Sequence, residues 1–140
     1  MAFGDLFLHD VRQYRITLLQ GTGIDPLFPL WEDGLHTSQL ARAMIQAGLK
    51  AVLTCVDPSQ LPRDFLGREF NEEFLSDIPS TVDPCGENGE FHTFCFDGPM
   101  FGRPIELVMG EKIEREGFWF ADAVPVGVGG QTASSSISRK

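Results

Sequence analysis

The sequence predicts an α/β fold in which a parallel βαβ unit is followed by an α+β part that ends in an antiparallel hairpin. Two observations carry this prediction. A helical pattern precedes the continuous apolar run from Leu49 to Val56, and a strand, helix and strand of these lengths favour parallel strands joined by a right-handed crossover. Nearer the carboxyl terminus, two strand-like segments flank Glu116 and Gly117, which is typical of a tight hairpin.

The first half of the chain supplies the elements of the βαβ unit. Asp10 is expected to cap the first helix and Gly21 to end it, because a short acceptor side chain favours a helix start and glycine favours its end. The expected elements are the end of a strand over residues 2–7, a helix over 9–19, a strand over 24–30, a loop over 31–34, a helix begun by Thr37 or Ser38 and ended by Gly48, and a strand over 49–56.

The second half is predicted to mix helix and strand. Asn71 should begin a helix that carries acids in its first turn, where the helix dipole favours negative charge. The expected elements are a loop with a short helical turn over 58–67, a helix over 71–78, a strand from Glu90, a turn at Asp97, Gly98 and Pro99, and hairpin strands over 105–114 and 118–124. The domain limits follow as residues 1–57, 58–126 and a disordered Gly/Ser-rich tail over 127–140.

Composition excludes two classes of partner. Twenty acids against 11 bases leave a formal charge of −9, whereas a nucleic-acid surface needs a basic patch. No apolar run approaches the roughly 18 residues of a membrane span, and the first residues show no secretory signal. Cys55, Cys85 and Cys95 show no CxxC spacing. We therefore expect a cytoplasmic protein with reduced thiols that binds neither nucleic acid nor membrane.

The stretch from Asp83 to Thr93 is the strongest candidate for a site. It gathers acids, a histidine and two glycines directly before a run of strand formers. In a strand that begins at Glu90, the side chains of Glu90 and His92 share one face, and Glu87 comes from the preceding turn. Such a group at a strand opening can form a polar pocket. The alternative is that Asp, Asn and Gly are ordinary turn residues and that the Glu and His side chains are solvated.

Three further residues lie where predicted strands end. Asp5, Trp31 and Asp57 follow such strands, and ligands of open α/β sheets bind beyond the carboxyl ends of the strands. The alternative for each is structural, with Asp as a turn residue and Trp as a cover over the sheet edge. A metal site from Cys85, Glu87, Glu90 and His92 is a further alternative, although the spacing matches no structural zinc pattern.

Several short motifs, taken together, resemble one known family. The motifs, in chain order, are Gly4-Asp5-Leu6, Phe28-Pro29-Leu30-Trp31, Leu66-Gly67-Arg68-Glu69, the stretch Asp83 to Thr93, and Asp97-Gly98-Pro99-Met100-Phe101. The chain resembles the ATP-binding family that includes diphthine-ammonia ligase, in the adenine nucleotide alpha hydrolase group of PP-loop ATP pyrophosphatases. The resemblance implies that residues 1–57 end a Rossmann-like nucleotide-binding domain and that residues 58–126 form an acceptor-side region.

The family's chemistry is carboxylate activation by ATP with Mg²⁺, through an acyl-adenylate, followed by attack of ammonia to give an amide. The resemblance implies that two carboxylates bind ammonium, a cationic acceptor or Mg²⁺, and that an imidazole acts as the base, because imidazoles exchange protons near neutral pH. The implied catalytic residues are Glu87, Glu90 and His92, and the implied substrate-binding residues are Asp5, Trp31, Asn88, Gly89 and Thr93.

The family's Ser-Gly-Gly-Lys-Asp-Ser nucleotide loop does not occur in this sequence. We therefore expect the chain to be inactive alone and to need a missing amino-terminal half, or self-association, as its partner. The alternative function is a non-catalytic binding module or partner subunit of an adenine-nucleotide-binding protein. Asn88 together with His92 resembles the bacterial branch of the family, which leaves the carboxylate acceptor open.

Overall fold

The computed structural model describes residues 1–31 and 36–126. The predicted loop residues 32–34 and the predicted tail over 127–140 lie outside the described residues. The helices are α1 (His9–Leu19), α2 (Thr37–Gln46) and α3 (Glu72–Asp77), with a 3₁₀ turn at Arg63–Phe65, and the strands are β1 (Lys50–Val56), β2 (Phe91–Asp97), β3 (Leu107–Arg115) and β4 (Phe118–Pro125).

In the described part of the chain, four strands form one antiparallel sheet in the order β2-β1-β4-β3. The chain is therefore α/β as predicted, but the predicted parallel Rossmann-like sheet is not what these residues form. Strand β1 pairs antiparallel with β2 and with β4. Its continuous apolar run is explained by this central position, because the run reports burial and carries no information about the direction of the neighbouring strands.

The strand predicted over residues 24–30 is reduced to one parallel bridge between Ala2 and Leu27. The Leu27 nitrogen donates to the Met1 carbonyl at 2.8 Å, and the Phe3 nitrogen donates to the Leu27 carbonyl at 2.9 Å. Pro26 and Pro29 stand on either side of this bridge. Because proline has no N–H to donate, these two residues limit the ladder to its centre.

The carboxyl-terminal hairpin is confirmed. Strands β3 and β4 pair from Arg115 opposite Phe118 back toward Leu107. Glu116 and Gly117 connect them with φ angles of 53° and 86°. Positive φ at both central residues is the geometry of the tight turns that match the twist of a hairpin.

The helices lie where the sequence predicted them, but two of the predicted caps are wrong. Leu8 precedes α1 and His36 precedes α2, neither with a side-chain cap, so Asp10 and Thr37 lie inside their helices. The cap of α3 is confirmed, because the Asn71 Oδ1 accepts a hydrogen bond from the Phe74 nitrogen at 2.9 Å. The helix dipole favours Asp10 in the first turn without any cap bond.

The core lies between the sheet and the helices and is centred on Phe74 of α3. This side chain is fully buried, and its ring lies 5.3 Å from the ring of Phe91, 5.5 Å from that of Phe70 and 6.0 Å from that of Phe65. Aromatic pairs at these separations add to the free energy gained by burial. The contact with Phe91 fixes the first residue of β2, and thereby the end of the loop that precedes it.

The two cysteines predicted to lie in the core differ in burial. Cys55 is buried in β1, whereas Cys95 in β2 is only half-buried. Burial, together with the nearby Asp57 carboxylate, raises the pKa of the Cys55 thiol. None of the helices in the described part of the chain is both long and apolar enough to span a bilayer.

Candidate functional site

The loop from Asp83 to Glu90 lies between α3 and β2, and hydrogen bonds within its own backbone hold its shape. The Gly86 nitrogen donates to the Asp83 carbonyl at 2.9 Å, and the Gly89 nitrogen donates to the Gly86 carbonyl at 3.1 Å. Gly86 and Gly89 have φ angles of 68° and 85°, which favour glycine. A Cβ atom on Gly86 would lie 2.9 Å from the Phe91 carbonyl oxygen, so this turn packs directly on the start of β2.

The loop is wrapped around the carboxylate of Glu90, whose side chain is only 1% exposed. Oε1 accepts hydrogen bonds from the Asp83 nitrogen at 2.9 Å and from the Asn88 Nδ2 at 3.1 Å. Oε2 accepts one from the Asn88 nitrogen at 3.0 Å. The carboxylate therefore satisfies three donors of the loop.

The charge of Glu90 is stable in this position. Burial raises the pKa of Glu90, but the hydrogen bonds from Asp83, from the backbone of Glu90 itself and from Asn88 outweigh burial and lower the pKa below its ordinary value. Hydrogen bonds to the charged form favour that form. Both oxygens are occupied, so the geometry gives Glu90 a positioning role in the loop and leaves no oxygen open to a ligand.

Asp83 ties the same loop to α2. Its Oδ2 accepts a hydrogen bond from the Thr37 Oγ1 at 2.7 Å, and its Oδ1 accepts bonds from the Cys85 nitrogen at 2.8 Å and the Glu87 nitrogen at 3.4 Å. Thr37 therefore links α2 to the loop, although the sequence predicted that it caps the helix. Residues 46 positions apart are joined by this contact.

Glu87 ties the loop to the amino-terminal segment. Its Oε1 accepts a hydrogen bond from the backbone nitrogen of Leu6 at 2.8 Å, and Leu6 is 4% exposed. The other oxygen, Oε2, accepts no hydrogen bond from the described residues. Glu87 therefore keeps one carboxylate oxygen available to a ligand.

A cleft of about 480 Å³ opens beside this contact. Five of the eight residues predicted to be catalytic or substrate-binding line it, and they are Asp5, Glu87, Gly89, His92 and Thr93. Across the cleft, the Asp5 Oδ2 lies 3.6 Å from the Arg15 Nε. Both atoms are buried, and neither has a hydrogen-bond partner among the described residues.

Three predicted site residues lie outside the lining of the cleft. Glu90 is buried beneath the loop, and the Asn88 side chain is used in the bond to Glu90. Trp31 packs instead against α1, with its ring 5.0 Å from the His9 ring and 4.7 Å from the Arg12 guanidinium. Trp31 therefore contributes to the packing of the amino-terminal segment and not to the cleft.

Asp57, the third strand-end candidate, is a turn residue. Its Oδ1 accepts hydrogen bonds from the Ser59 Oγ at 2.7 Å and the Ser59 nitrogen at 2.9 Å. The bond from the Ser59 side chain, and then that from its backbone, lower the pKa of Asp57. These contacts support the structural alternative, in which Asp57 is a turn residue.

Sequence reasoning missed the contribution of α1 to the cleft. Leu8, which directly precedes α1, lines the cleft together with Val11 and Arg15 of the helix, whereas Tyr14 and Leu18 of the same helix are 60% and 56% exposed. The spacing of Leu8, Val11 and Arg15 is that of a single helix face. This spacing is the signal that could have identified Arg15.

Cys85 lines the cleft but is poorly suited to nucleophilic chemistry. Burial, with the Asp83 and Glu87 carboxylates nearby, raises the pKa of the Cys85 thiol to about 12, and its Sγ donates to the Thr37 carbonyl at 3.4 Å. Because the thiolate is the reactive form, Cys85 serves as a wall of the cleft. Within residues 1–31 and 36–126, no three or more His, Cys, Asp or Glu side chains are grouped to hold a metal ion.

These features describe an α/β domain that carries a preformed, mainly acidic cleft between its first helix and the loop before its edge strand. Residues 36–127 match the family described as Diphthamide synthase C-terminal domain. This match covers more than half of the chain, which therefore belongs to that family.

Relatives with curated names agree with the family. The chain is 26% identical over 137 residues to "Diphthine--ammonia ligase" of Rattus norvegicus, which covers 94% of this chain and 51% of the relative. It is 29% identical over 112 residues to the Homo sapiens protein of that name, covering 76% and 41%. The Schizosaccharomyces pombe protein of the same name is 32% identical over 96 residues, covering 66% and 16%. The chain thus spans about half or less of these relatives.

Proposed function

We propose that this chain is the amine-receiving, acceptor-side part of an ATP-dependent amide ligase that converts a carboxylate into an amide. The name of its relatives, diphthine-ammonia ligase, describes a ligation that uses ammonia. The proposal includes membership of the PP-loop group, the bacterial form of the site and a cytoplasmic location. Because the chain spans about half or less of those relatives, nucleotide binding is assigned to a part that this chain does not supply.

The observation that carries the proposal is the set of groups around the cleft. Glu87 offers a carboxylate oxygen, Asp5 adds a second carboxylate, and His92 lines the same space. Arg15 balances the charge of Asp5, so Glu87 supplies the excess negative charge. A cleft of this charge attracts ammonium and holds it by charge-assisted hydrogen bonds.

The residues of the cleft then have separate roles. Glu87 and Asp5 hold ammonium, and His92 accepts the proton that ammonium must lose before its lone pair can react. The lone pair forms a C–N bond to an activated acyl carbon as the bond from that carbon to its leaving oxygen breaks. The oxygen keeps the electron pair of that bond, and a further proton passes from the nitrogen to water. General-base help of this kind is worth about 10²- to 10⁴-fold in rate.

The cleft does not fit ATP with Mg²⁺. A triphosphate needs several N–H or cationic donors, whereas Arg15 is the single Lys or Arg side chain in the described lining of the cleft and already faces Asp5 at 3.6 Å. Glu87 and Glu90, the two carboxylates expected to hold Mg²⁺, do not converge on one position, because both oxygens of Glu90 accept hydrogen bonds from the loop. This cleft therefore acts on the amine and not on the nucleotide.

The amino-terminal segment offers a surface for the partner. Large apolar side chains are exposed there, with Leu27 at 62%, Tyr14 at 60% and Leu18 at 56%. Beside them, the bridge between Ala2 and Leu27 leaves strand edges open to further pairing, and such edges are commonly covered. The partner assigned to this surface is the remaining half of the ligase, with self-association as the alternative.

A second candidate function is a binding module without catalysis. The contacts that shape the cleft, from Glu90, Asp83 and Glu87, are all made within this chain. A cleft that is already formed can bind an amine or a partner without turnover. The two candidates differ in whether an amide is produced.

A chimera tests the proposal. The region of the Rattus norvegicus relative that aligns with this chain is replaced by this chain, and amide formation is followed with ATP, ammonium and the acceptor. We expect activity in the chimera, none in the isolated chain, and a fall in kcat of about 10²- to 10⁴-fold for His92→Gln. Glu111→Gln, on the exposed surface of β3, is the matched control and should not change kcat.

Two results would contradict the proposal. A folded chimera that binds ATP but forms no amide would favour the binding module. Stoichiometric ATP binding with pyrophosphate release by the isolated chain would contradict the division of labour between the two halves.

A further inference from the structure

A second cavity adjoins the acidic cleft. This apolar chamber has a volume of about 180 Å³ and lies between α2 and the strands β1 and β2, with Met44, Leu49, Phe70 and Cys95 in its lining. Cys85, Phe91 and Thr93 line both the chamber and the cleft. The two cavities therefore meet at these three residues, beside the edge strand β2.

The two cavities differ in chemistry. The cleft contributes Glu87, with Asp5 matched by Arg15, whereas the residues that belong to the chamber alone are uncharged. An apolar cavity of about 150 Å³ is known to take up a molecule of the size of benzene, so the chamber has room for a short aliphatic chain. A single ligand with a cationic head and an apolar tail would match both.

We infer that the cleft and the chamber form one bipartite site for a small primary alkylamine, with its ammonium head beside Glu87 and its aliphatic chain in the chamber. This inference rests on the proposed function, in which the cleft receives an amine, and it extends the class of amine beyond ammonia. The charge of Glu87 selects the head, and the volume of the chamber limits the length of the tail.

The probes are a series of n-alkylammonium ions from methyl to hexyl, titrated into the whole chain in amine-free buffer and followed by amide NMR shifts. Burial of each methylene should tighten binding about three- to fourfold, until the chamber is full. Shifts are expected at Leu6 and Glu87 for the head and at Ala51 and Cys95 for the tail. n-Pentanol and pentanoate, which share a tail but lack the cationic head, should bind more weakly than n-pentylammonium by about tenfold or more, because they lose the charged hydrogen bond to Glu87.

Two variants separate head from tail. Cys95→Leu fills the chamber from a half-buried position that does not line the cleft, and it should abolish the dependence on chain length while methylammonium still binds. Thr54→Leu, half-buried in β1 and lining neither cavity, is the control and should keep that dependence. Glu87→Gln should remove the preference for n-pentylammonium over n-pentanol.

Three results would contradict the bipartite site. If ammonium and methylammonium bind but longer chains bind no tighter, or if Cys95→Leu keeps the chain-length dependence, the bipartite site is wrong and the proposed function still stands. If wild-type protein gives no shifts with any alkylammonium ion, the inference is also overturned. The wild-type series decides the matter even if a variant fails to fold.

Discussion

The Glu87 Oε1 accepts a hydrogen bond from the backbone nitrogen of Leu6, 81 positions earlier in the chain, at 2.8 Å. This contact closes the cleft on one side, because it joins the loop before β2 to the segment that carries Asp5. A carboxylate that holds structure with one oxygen and offers the other to a ligand links the stability of the fold to the chemistry of the site.

Glu87→Ala should weaken the amino-terminal segment. The substitution leaves the buried N–H of Leu6 without its acceptor, which typically costs about 1–3 kcal/mol. Urea denaturation should report this loss, and hydrogen exchange should be faster at Leu6. Glu111→Ala, exposed on β3, is the control, and unchanged exchange at Leu6 in Glu87→Ala would show that the contact contributes nothing.

Glu90→Gln should destabilise the loop although it conserves size. Each carboxylate oxygen of Glu90 accepts from an N–H donor, so the new NH₂ group must face a donor in either orientation. A mispaired buried donor costs about 1–3 kcal/mol, and more is expected here because a charge is also lost. The measurement is the free energy of unfolding near neutral pH, compared with Glu111→Gln.

The stabilities of wild type and Glu90→Gln should also depend differently on pH. Hydrogen bonds lower the native pKa of Glu90 below 4.5, so its contribution to stability is present above that value and is lost as pH falls through the native pKa. The difference in unfolding free energy between wild type and Glu90→Gln should therefore shrink over the acidic range below pH 4.5. A difference that stays constant over this range would contradict the buried, charged state of Glu90.

Gly86→Ala should be more destabilising than Gly89→Ala. Both glycines have positive φ, so alanine costs about 1–2 kcal/mol of backbone strain at either position. Only at Gly86 would the added Cβ also meet the Phe91 carbonyl oxygen at 2.9 Å, since nothing lies within 4 Å at Gly89. Thermal unfolding of the two variants decides this, and equal losses would show that the loop does not pack on β2 as described.

Cys85 should resist alkylation in the folded protein. Its pKa of about 12 leaves very little thiolate near pH 8, and the thiolate is the form that reacts. Mass spectrometry after iodoacetamide treatment should show modification of Cys85 about tenfold or more slower than in the urea-unfolded chain. Rapid modification in the native state would restore Cys85 as a candidate nucleophile.

The elements that could be predicted from the sequence are those with local signals. Asn71 caps α3 through a bond to Phe74, three positions later, and Glu116 with Gly117 specifies the hairpin by itself. The direction of the strands beside β1 depends on pairing with residues 91–97 and 118–125. The apolar run of β1 predicts its burial but does not choose those partners, so the parallel sheet was the wrong expectation.

The site was predictable in part because some of its residues are close neighbours in the sequence. Glu87 and His92 line one cleft because they lie close together in the sequence, on a turn and the strand after it. The positioning role of Glu90 could not be predicted. Side chains alternate along a strand, so a strand that begins at Glu90 would place Glu90 and His92 on the same face. In the structure Glu90 precedes β2, and its side chain lies beneath the loop. Arg15 reaches the cleft only because the amino-terminal segment packs against the loop.

The dependence of amide formation on ammonium concentration, measured in the chimera with wild-type and Glu87→Gln sequences, tests the central claim most directly. A charged hydrogen bond is worth about 1.5–3 kcal/mol, so Glu87→Gln should raise the KM for ammonium about 10- to 100-fold, while Glu111→Gln leaves it unchanged. An unchanged KM for ammonium in a folded, active Glu87→Gln chimera would contradict the assignment of this cleft to the amine.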